Sequence, residues 1–190
     1  MRHMKGNHRP GVWPVLIGLG MFWCLTAAAY ASPFSQDENG TTALAFLKVP
    51  MGPRGAGMGS AYTAVAEGPE SLWWNPAGLI ESGHTSIFLE NSFLVDDLLL
   101  NTLACQIPVD TGDAFGLMVT RLAFNLPMPG YDNTGEETNP VEYSELLFAA
   151  GYGTDAFGMP FGLVLKALSS KLADTSALAF AGDVGLRQDF

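Results

Sequence analysis

After residue 83 the chain is a series of short segments in which apolar and other side chains alternate, and this pattern constrains the fold more than any other feature. In residues 114–125, Phe115, Leu117 and Val119 fall on one face of a strand, while smaller or mixed side chains fall on the other. Each segment has roughly the 9–11 residues with which a tilted strand crosses a bilayer. The pattern predicts antiparallel strands, and a face of large apolar residues is typical of a strand that meets lipid.

Turn residues divide this part of the chain into six predicted strands. The predicted strands are residues 84–91, 98–107, 114–125, 143–152, 157–170 and 177–190. The turns predicted at residues 108–113 and 153–156 are short, whereas the loops predicted at residues 92–97 and 126–142 are longer or more polar. Short turns at one end and longer loops at the other are typical of outer-membrane barrels.

The amino-acid composition is compatible with two kinds of β protein. Hydrophobic residues make up 48% of the chain and charged residues 15%, whereas soluble domains carry about 25% charged residues. No apolar run after Ala31 reaches the roughly 18 residues of a spanning helix. These properties fit an unusually apolar soluble β protein or a transmembrane barrel, whose alternating strands give no hydropathy peak.

Residues 1–31 are predicted to be a secretory signal peptide. The first nine residues hold three Lys or Arg side chains, and residues 12–30 carry no charge. Ala29 and Ala31 place small residues at the positions that precede a signal-peptidase site, so cleavage is predicted after Ala31. An uncleaved membrane anchor is the alternative, because the apolar run approaches the length of a spanning helix.

The predicted mature chain is strongly acidic. All nineteen Asp and Glu residues follow Ala31, but only six of the nine Lys and Arg residues do, which gives a net charge of −13. This charge argues against nucleic acid as a partner, because affinity for nucleic acid depends on Lys and Arg contacts with phosphates. Cys105 is the one cysteine after the predicted leader, and a lone thiol predicts neither an internal disulfide nor a metal site.

Residues 40–80 do not alternate like a strand. Gly52, Gly55, Gly57 and Gly59 predict a permissive loop in which backbones approach closely. No Lys follows these glycines as a P-loop requires, and a serine stands where a dinucleotide-binding sequence would have its third glycine. A nucleotide cofactor is therefore not predicted.

Two further elements are predicted in the same region. Residues 60–67 are rich in small side chains and predict a short helix that ends at Gly68. The sequence Asn75-Pro76-Ala77-Gly78 predicts a tight turn, because Asn and Pro favour the start of a turn and Gly accepts a positive φ. The region is thus predicted to be a compact segment of small residues, suited to packing inside the lumen of a barrel.

Residues 40–80 resemble the N-terminal signature of the PorV/PorQ family of outer-membrane proteins, which are distant relatives of the FadL fatty-acid channels. The matching residues are Gly40-Thr41-Thr42, Phe46-Leu47-Lys48, Arg54, Gly57-Met58-Gly59, Ala61-Tyr62-Thr63-Ala64-Val65-Ala66 and Trp74-Asn75-Pro76-Ala77-Gly78-Leu79. The resemblance implies an all-β fold, a transmembrane antiparallel β-barrel of FadL-like type with about fourteen strands. It also implies a glycine-rich N-terminal plug, which we place at residues 32–82.

The resemblance implies two possible roles. In the FadL branch the plug gates the uptake of hydrophobic molecules, and in the PorV branch the barrel serves type IX protein secretion and receives exported cargo. Residues 83–190 supply only about six strands, whereas single-chain barrels begin at about eight. We therefore predict that the chain is an incomplete version of a longer protein, truncated at its C-terminus.

The predicted function is that of a non-enzymatic outer-membrane protein of PorV type, associated with protein secretion or outer-membrane assembly. A FadL-like passive channel for hydrophobic small molecules is the alternative. The expected partners are outer-membrane lipid and secretion-machinery proteins or exported cargo. His84 is the one histidine after the predicted leader, and no Ser or acid stands near it at a catalytic spacing. No catalytic residue, cofactor or metal is therefore predicted.

The candidate functional residues all lie in the predicted plug. They are Arg54, Gly55, Gly57, Gly59, Asn75, Pro76, Ala77 and Gly78. Arg54 is a cation within a glycine-rich segment, and we expect it to pair with Glu67 or Glu70.

Overall fold

The computed structural model describes residues 44–188 except residues 95, 96, 111, 127, 133, 157 and 174. All described residues belong to the unit of the chain that begins at Ala43. The predicted signal peptide, its cleavage site after Ala31 and the first part of the predicted plug lie outside the described residues. Within the described part, no helix is both long enough and apolar enough to cross a membrane.

Six antiparallel strands form one sheet in the order β1-β2-β3-β6-β7-β8, and β4 and β5 form a separate hairpin. The strands are β1 Ser86–Phe93, β2 Leu98–Asp110, β3 Asp113–Phe124, β4 Met128–Tyr131, β5 Glu137–Val141, β6 Tyr143–Ala156, β7 Met159–Leu172 and β8 Thr175–Leu186. The prediction of an all-β chain with antiparallel strands is confirmed. Within the described part of the chain, β1 and β8 are the edges of the sheet and do not pair with each other.

The largest differences from the predicted strands lie in two regions, and β2 also extends to Asp110, into the turn predicted at residues 108–113. Residues 153–156, predicted to be a turn, belong to β6 and pair with β7. The region 126–142, predicted to be an irregular loop, contains the β4–β5 hairpin. In both places Gly, Pro and Asp were interpreted as chain breakers, although a strand accepts them where another backbone approaches closely or at an edge.

The N-terminal segment, here residues 44–82, contains short helical turns in place of strands. They are the α-helices α1 Pro53–Gly57 and α2 Ser71–Trp74 and the 3-10 turns Ala45–Lys48, Gly68–Glu70 and Pro76–Ile80. The predicted helix at residues 60–67 is wrong, because these residues form turns. Ser60 has a φ of 69°, which a right-handed helix does not accept. The helix lies earlier, in the predicted glycine loop, where Pro53 takes a favourable first helical position.

The N-terminal segment covers one face of the six-stranded sheet, which we name the inner face. Burial alternates along β3, where Met118 and Thr120 are buried while Phe115 and Leu117 on the opposite, outer face are 51% and 57% exposed. The predicted division of residues 114–120 into two faces is thus confirmed. The core between segment and sheet includes Met51, Leu72, Leu79, Leu100, Met118, Leu147, Val164 and Leu168.

Candidate functional site

The turn Asn75-Pro76-Ala77-Gly78 is the point at which the N-terminal segment is tied to the far edge of the sheet. The Asn75 Oδ1 atom accepts a hydrogen bond from the Ala77 backbone N–H at 3.2 Å and so caps the 3-10 turn. Its Nδ2 group donates to the carbonyl oxygen of Thr63 at 3.1 Å and to that of Leu186, in β8, at 3.3 Å. Because Asn75 is only 8% exposed, these bonds satisfy a side chain that water scarcely reaches.

Glycines on the inner face allow this turn to lie directly on the backbone of the sheet. A Cβ atom on Gly162 would overlap the carbonyl group of Pro76, and one on Gly185 would overlap Oδ1 of Asn75. Gly153 is paired with Gly162, which is in turn paired with Gly185, so the three glycines lie side by side on β6, β7 and β8. Because none of the three has a side chain, the turn packs directly on the backbone of the sheet at this point.

A second pair of inner-face glycines receives the side chains of the segment. Gly116 and Gly151 are opposite each other in β3 and β6. A Cβ on Gly116 would lie 2.8 Å from Cδ2 of Leu79, and one on Gly151 would lie 2.5 Å from Cδ2 of Leu72. We name Gly116, Gly151, Gly153, Gly162 and Gly185 the glycine row. Sequence analysis missed it, although isolated glycines within strands are a recognised signal of close approach.

The candidate glycines of the segment itself differ in what they do. Gly78 lies against the backbone of Ala66, whose carbonyl oxygen a Cβ would overlap. Gly55 lies against the Trp74 ring in the same way. By contrast, a Cβ on Gly57 would meet no atom within 4 Å.

Gly59 also has open space around it, but its φ of +60° favours glycine for a backbone reason. Of the four candidate glycines, the structure therefore gives only Gly55 and Gly78 a role in close packing.

Arg54 pairs with Glu67, one of its two predicted partners. Its Nη1 atom lies 2.7 Å from Glu67 Oε1 and also donates to the Tyr62 hydroxyl at 3.2 Å. The carboxylate of Glu67 and the hydroxyl of Tyr62 raise the pKa of the Arg54 guanidinium. The side chains of Arg54 and Glu67 are 58% and 51% exposed, so water screens their attraction. Arg54 thus pairs with Glu67 at an exposed position of the segment.

Gln106 is a buried polar link between the segment and β2. It is fully buried, and its Nε2 group donates to the carbonyl oxygen of Leu79 at 2.6 Å. Its Oε1 atom accepts from the Ser86 hydroxyl at 2.9 Å and from the Ser82 hydroxyl. The amide thus holds the end of the segment and the start of β1 in one network.

Charged side chains on the inner face hold two other points of the segment. Glu145 is 3% exposed, and its Oε1 atom accepts from the Leu44 backbone N–H at 3.0 Å. Lys166 forms an ion pair with Asp183, and its Nζ lies 5.9 Å from the centre of the Trp73 ring.

The interface between segment and sheet fixes one backbone against another by close packing and hydrogen bonds. Throughout the described residues, no group of three or more His, Cys, Asp or Glu side chains is arranged to hold a metal ion. No protein family, no curated protein and no solved structure matches this chain.

Proposed function

We propose that this chain forms part of a non-enzymatic outer-membrane β-barrel of PorV type, in which the N-terminal segment is the plug. The apolar outer face of the sheet is the observation that carries the proposal. Large side chains on this face are widely exposed, among them Leu89 at 76%, Leu103 at 52%, Leu117 at 57%, Leu165 at 64% and Phe180 at 77%. Water is a poor solvent for such a continuous surface, whereas lipid tails match it.

The two faces together support a barrel better than a soluble sheet. The inner face is covered by a segment of the same chain, so the outer face is the one left for a surrounding medium. In lipid every strand edge must be paired, because unsatisfied backbone groups are costly there. The proposal therefore requires that β1 and β8 each pair with a further strand.

A role in protein secretion or outer-membrane assembly rests on the resemblance of residues 40–80 to PorV-type proteins. The close packing and hydrogen bonding of the plug against the sheet support this role. The turn around Asn75 lies on backbone over the glycine row and is hydrogen bonded to β8. A plug held in this way suits a barrel that binds secretion-machinery proteins or exported cargo while remaining closed to small molecules.

A FadL-like passive channel is the second candidate, and one groove favours it. An open groove of about 610 Å³ lies between the segment and the edge strand β1, with apolar walls from Val49, Pro50, Phe88 and Leu100 and polar walls from Glu90, Asn91 and Ser92. A groove of this size and character accepts a hydrophobic small molecule.

The native Cys105 thiol tests the membrane position of the outer face. It lies in β2 between Ile87 and Leu117 of the neighbouring strands. In the full-length barrel that the proposal requires, reconstituted into liposomes, we expect Cys105 to resist a charged maleimide until denaturant is added, because the reactive thiolate does not form in hydrocarbon. The Ser176→Cys variant, with its thiol in the exposed β7–β8 region, should react without denaturant. Equal reaction of Cys105 with the charged reagent would refute the membrane position.

A second measurement separates the two roles. Liposomes that contain the exported chain are mixed with a fluorescent fatty-acid analogue, and cells that produce the tagged chain are cross-linked for mass spectrometry. Cross-links to secretion-machinery proteins without probe uptake support the PorV-type role. Uptake above that of empty liposomes supports the channel and counts against the PorV-type role.

A further inference from the structure

Glu70 is a carboxyl group enclosed between the N-terminal segment and the sheet. The residue is 8% exposed, and within the described part of the chain its Oε1 atom has no hydrogen-bond partner. An ionised carboxylate in such a place has lost its water without gaining donors in return, whereas the protonated acid is a tolerable neutral group that carries a donor.

A second carboxyl group approaches the same point from the sheet. Glu90, on the inner side of β1, accepts hydrogen bonds from the Gly52 backbone N–H at 3.2 and 3.3 Å and from the Ser92 hydroxyl at 2.8 Å. Glu70 lies against the same glycine, because a Cβ on Gly52 would overlap its Oε1 atom. Gly52 is therefore held between one carboxyl group of the segment and one of β1.

We propose that Glu70 and Glu90 form a proton-dependent latch, which holds the loop around Gly52 against β1 when Glu70 is protonated and releases it when Glu70 is ionised. The neutral acid removes the repulsion between the two groups and the penalty for a buried charge. This inference goes beyond the proposed function, because the contact lies within one covered face of the sheet and does not require closure of a barrel.

The charged neighbours of Glu70 set the direction of the effect. Burial is the main cause that raises the pKa of Glu70, and repulsion by Glu90 and Glu67 adds to it, while Arg54 of α1 opposes it. A carboxyl group whose pKa is raised by folding contributes stability that is fully present below its ordinary pKa. That contribution is lost as the pH rises through the raised pKa. The latch is thus closed in acid and opens towards neutral or higher pH.

Opening of the latch would widen the groove beside β1. The groove of about 610 Å³ is lined by Gly52, Pro53 and Glu90 as well as by its apolar walls. The loop that carries Gly52 is thus one side of the groove, and its release widens access from the edge of the sheet.

Two buried methionines and one exposed methionine make the latch measurable. Met51 precedes Gly52, is fully buried and offers its carbonyl oxygen to the Trp74 Nε1 group at 3.0 Å. Met118, in the core of the sheet, is 2% exposed, and Met58 is 47% exposed. Peroxide converts accessible methionine to the sulfoxide, so mass spectrometry reports local opening at Met51 and global opening at Met118. Met58 corrects for the reactivity of the reagent.

The experiment uses the full chain in detergent micelles between about pH 5 and about pH 8, a range that spans raised carboxyl pKa values. We expect the oxidation rate of Met51, relative to Met58, to rise several-fold with pH while Met118 stays protected. In the Glu70→Gln variant, Met51 should remain protected throughout. The matched Glu67→Gln variant removes an exposed carboxylate near the same arginine and should keep the pH dependence.

Three outcomes would overturn the latch. They are a Met51 rate without pH dependence in the wild type, a pH dependence that survives Glu70→Gln, and oxidation of Met118 in parallel with Met51. Calcium chloride added at about pH 8 provides a further test, because two carboxylates are also oxygen ligands for a hard cation. Protection of Met51 by calcium would identify a cation site and refute the proton latch.

Discussion

The two faces of the sheet are made by the same strands but are built for different neighbours. On the inner face, β6 and β7 carry Gly151, Gly153 and Gly162, where an added Cβ would lie 3.0 Å or less from an atom of the N-terminal segment. On the outer face the same strands carry Phe148 at 50% and Leu163 at 41% exposure. The inner face is shaped to one particular backbone, whereas the outer face has bulk and apolarity without a matching protein surface among the described residues.

This difference teaches which kind of change each face tolerates. One extra methyl group on the inner face would displace the backbone that packs against this face, because packed interiors do not deform freely. A face that meets a fluid accepts changes of shape but not of charge. Stability is therefore expected to depend on side-chain volume at the inner face and on side-chain polarity at the outer face.

The largest expected effect is that of a charge on the outer face. Leu165→Arg places a cation beside the natural inner-face cation Lys166 but on the opposite side of β7. In a bilayer we expect a loss of about 2–4 kcal/mol in the free energy of folding, as for a cation on the lipid face of a barrel. The measurement is urea unfolding, in liposomes, of the full-length barrel that the proposal requires, and Leu165→Met should have little effect. If Leu165→Arg and Leu165→Met had similar free energies of unfolding, the proposed sensitivity of the outer face to charge would be refuted.

The next effect is that of one methyl group on the inner face. Gly162→Ala forces the turn at Pro76 away from β7, and we expect a loss of about 1–3 kcal/mol, typical of overpacking. Gly182→Ala in β8 is the matched control, because its Cβ would meet the nearest atom, the Val164 carbonyl oxygen, at an ordinary 3.5 Å. Urea unfolding in micelles measures both variants, and protease cleavage within residues 44–82 reports release of the segment. Equal losses would contradict a fitted inner face.

The smallest effect is expected at the exposed ion pair of the segment, where the Arg54 and Glu67 side chains are 58% and 51% exposed. Arg54→Ala removes the exposed pair with Glu67, and we expect a loss below about 1 kcal/mol because such pairs are screened by water. The loss should shrink further in about 1 M salt, where charges are screened within roughly 3 Å. A loss as large as that of Gly162→Ala would show that Arg54 holds the segment in place.

Much of the sheet could be predicted from the sequence because alternation reports burial directly. The predicted faces of residues 114–120 agree with the structure, since one side of β3 is covered and the other is not. Gly153 shows where local reasoning fails. It was assigned to a turn on composition alone, yet it lies in β6 because Leu79, from a distant part of the chain, needs the space above it.

The candidate site was predicted in part. The turn at Asn75 was identified from its own residues, because Asn, Pro and Gly carry local turn preferences. The glycine row and Gln106 were missed, because their roles depend on atoms 20 or more residues away, as in the bonds of Gln106 to the Ser86 hydroxyl and the Leu79 carbonyl. The predicted helix at residues 60–67 is wrong because Ser60 has a φ of 69°, and helix preference read from local composition does not anticipate such a backbone conformation.

The bond from Asn75 to the Leu186 carbonyl joins residues 111 positions apart. Such a long separation has a consequence for the order in which parts of the chain fold. The turn cannot pack in its final position until β8 is paired with β7, because Gly162 and Gly185 together form the surface beneath it. The turn at Asn75 is thus synthesised before the sheet but reaches its final contacts only with β8 in place, and closing so long a loop is slow. Until β3 and β6 have paired, Leu72 and Leu79 have no sheet to cover them, and exposed apolar side chains of this kind favour aggregation.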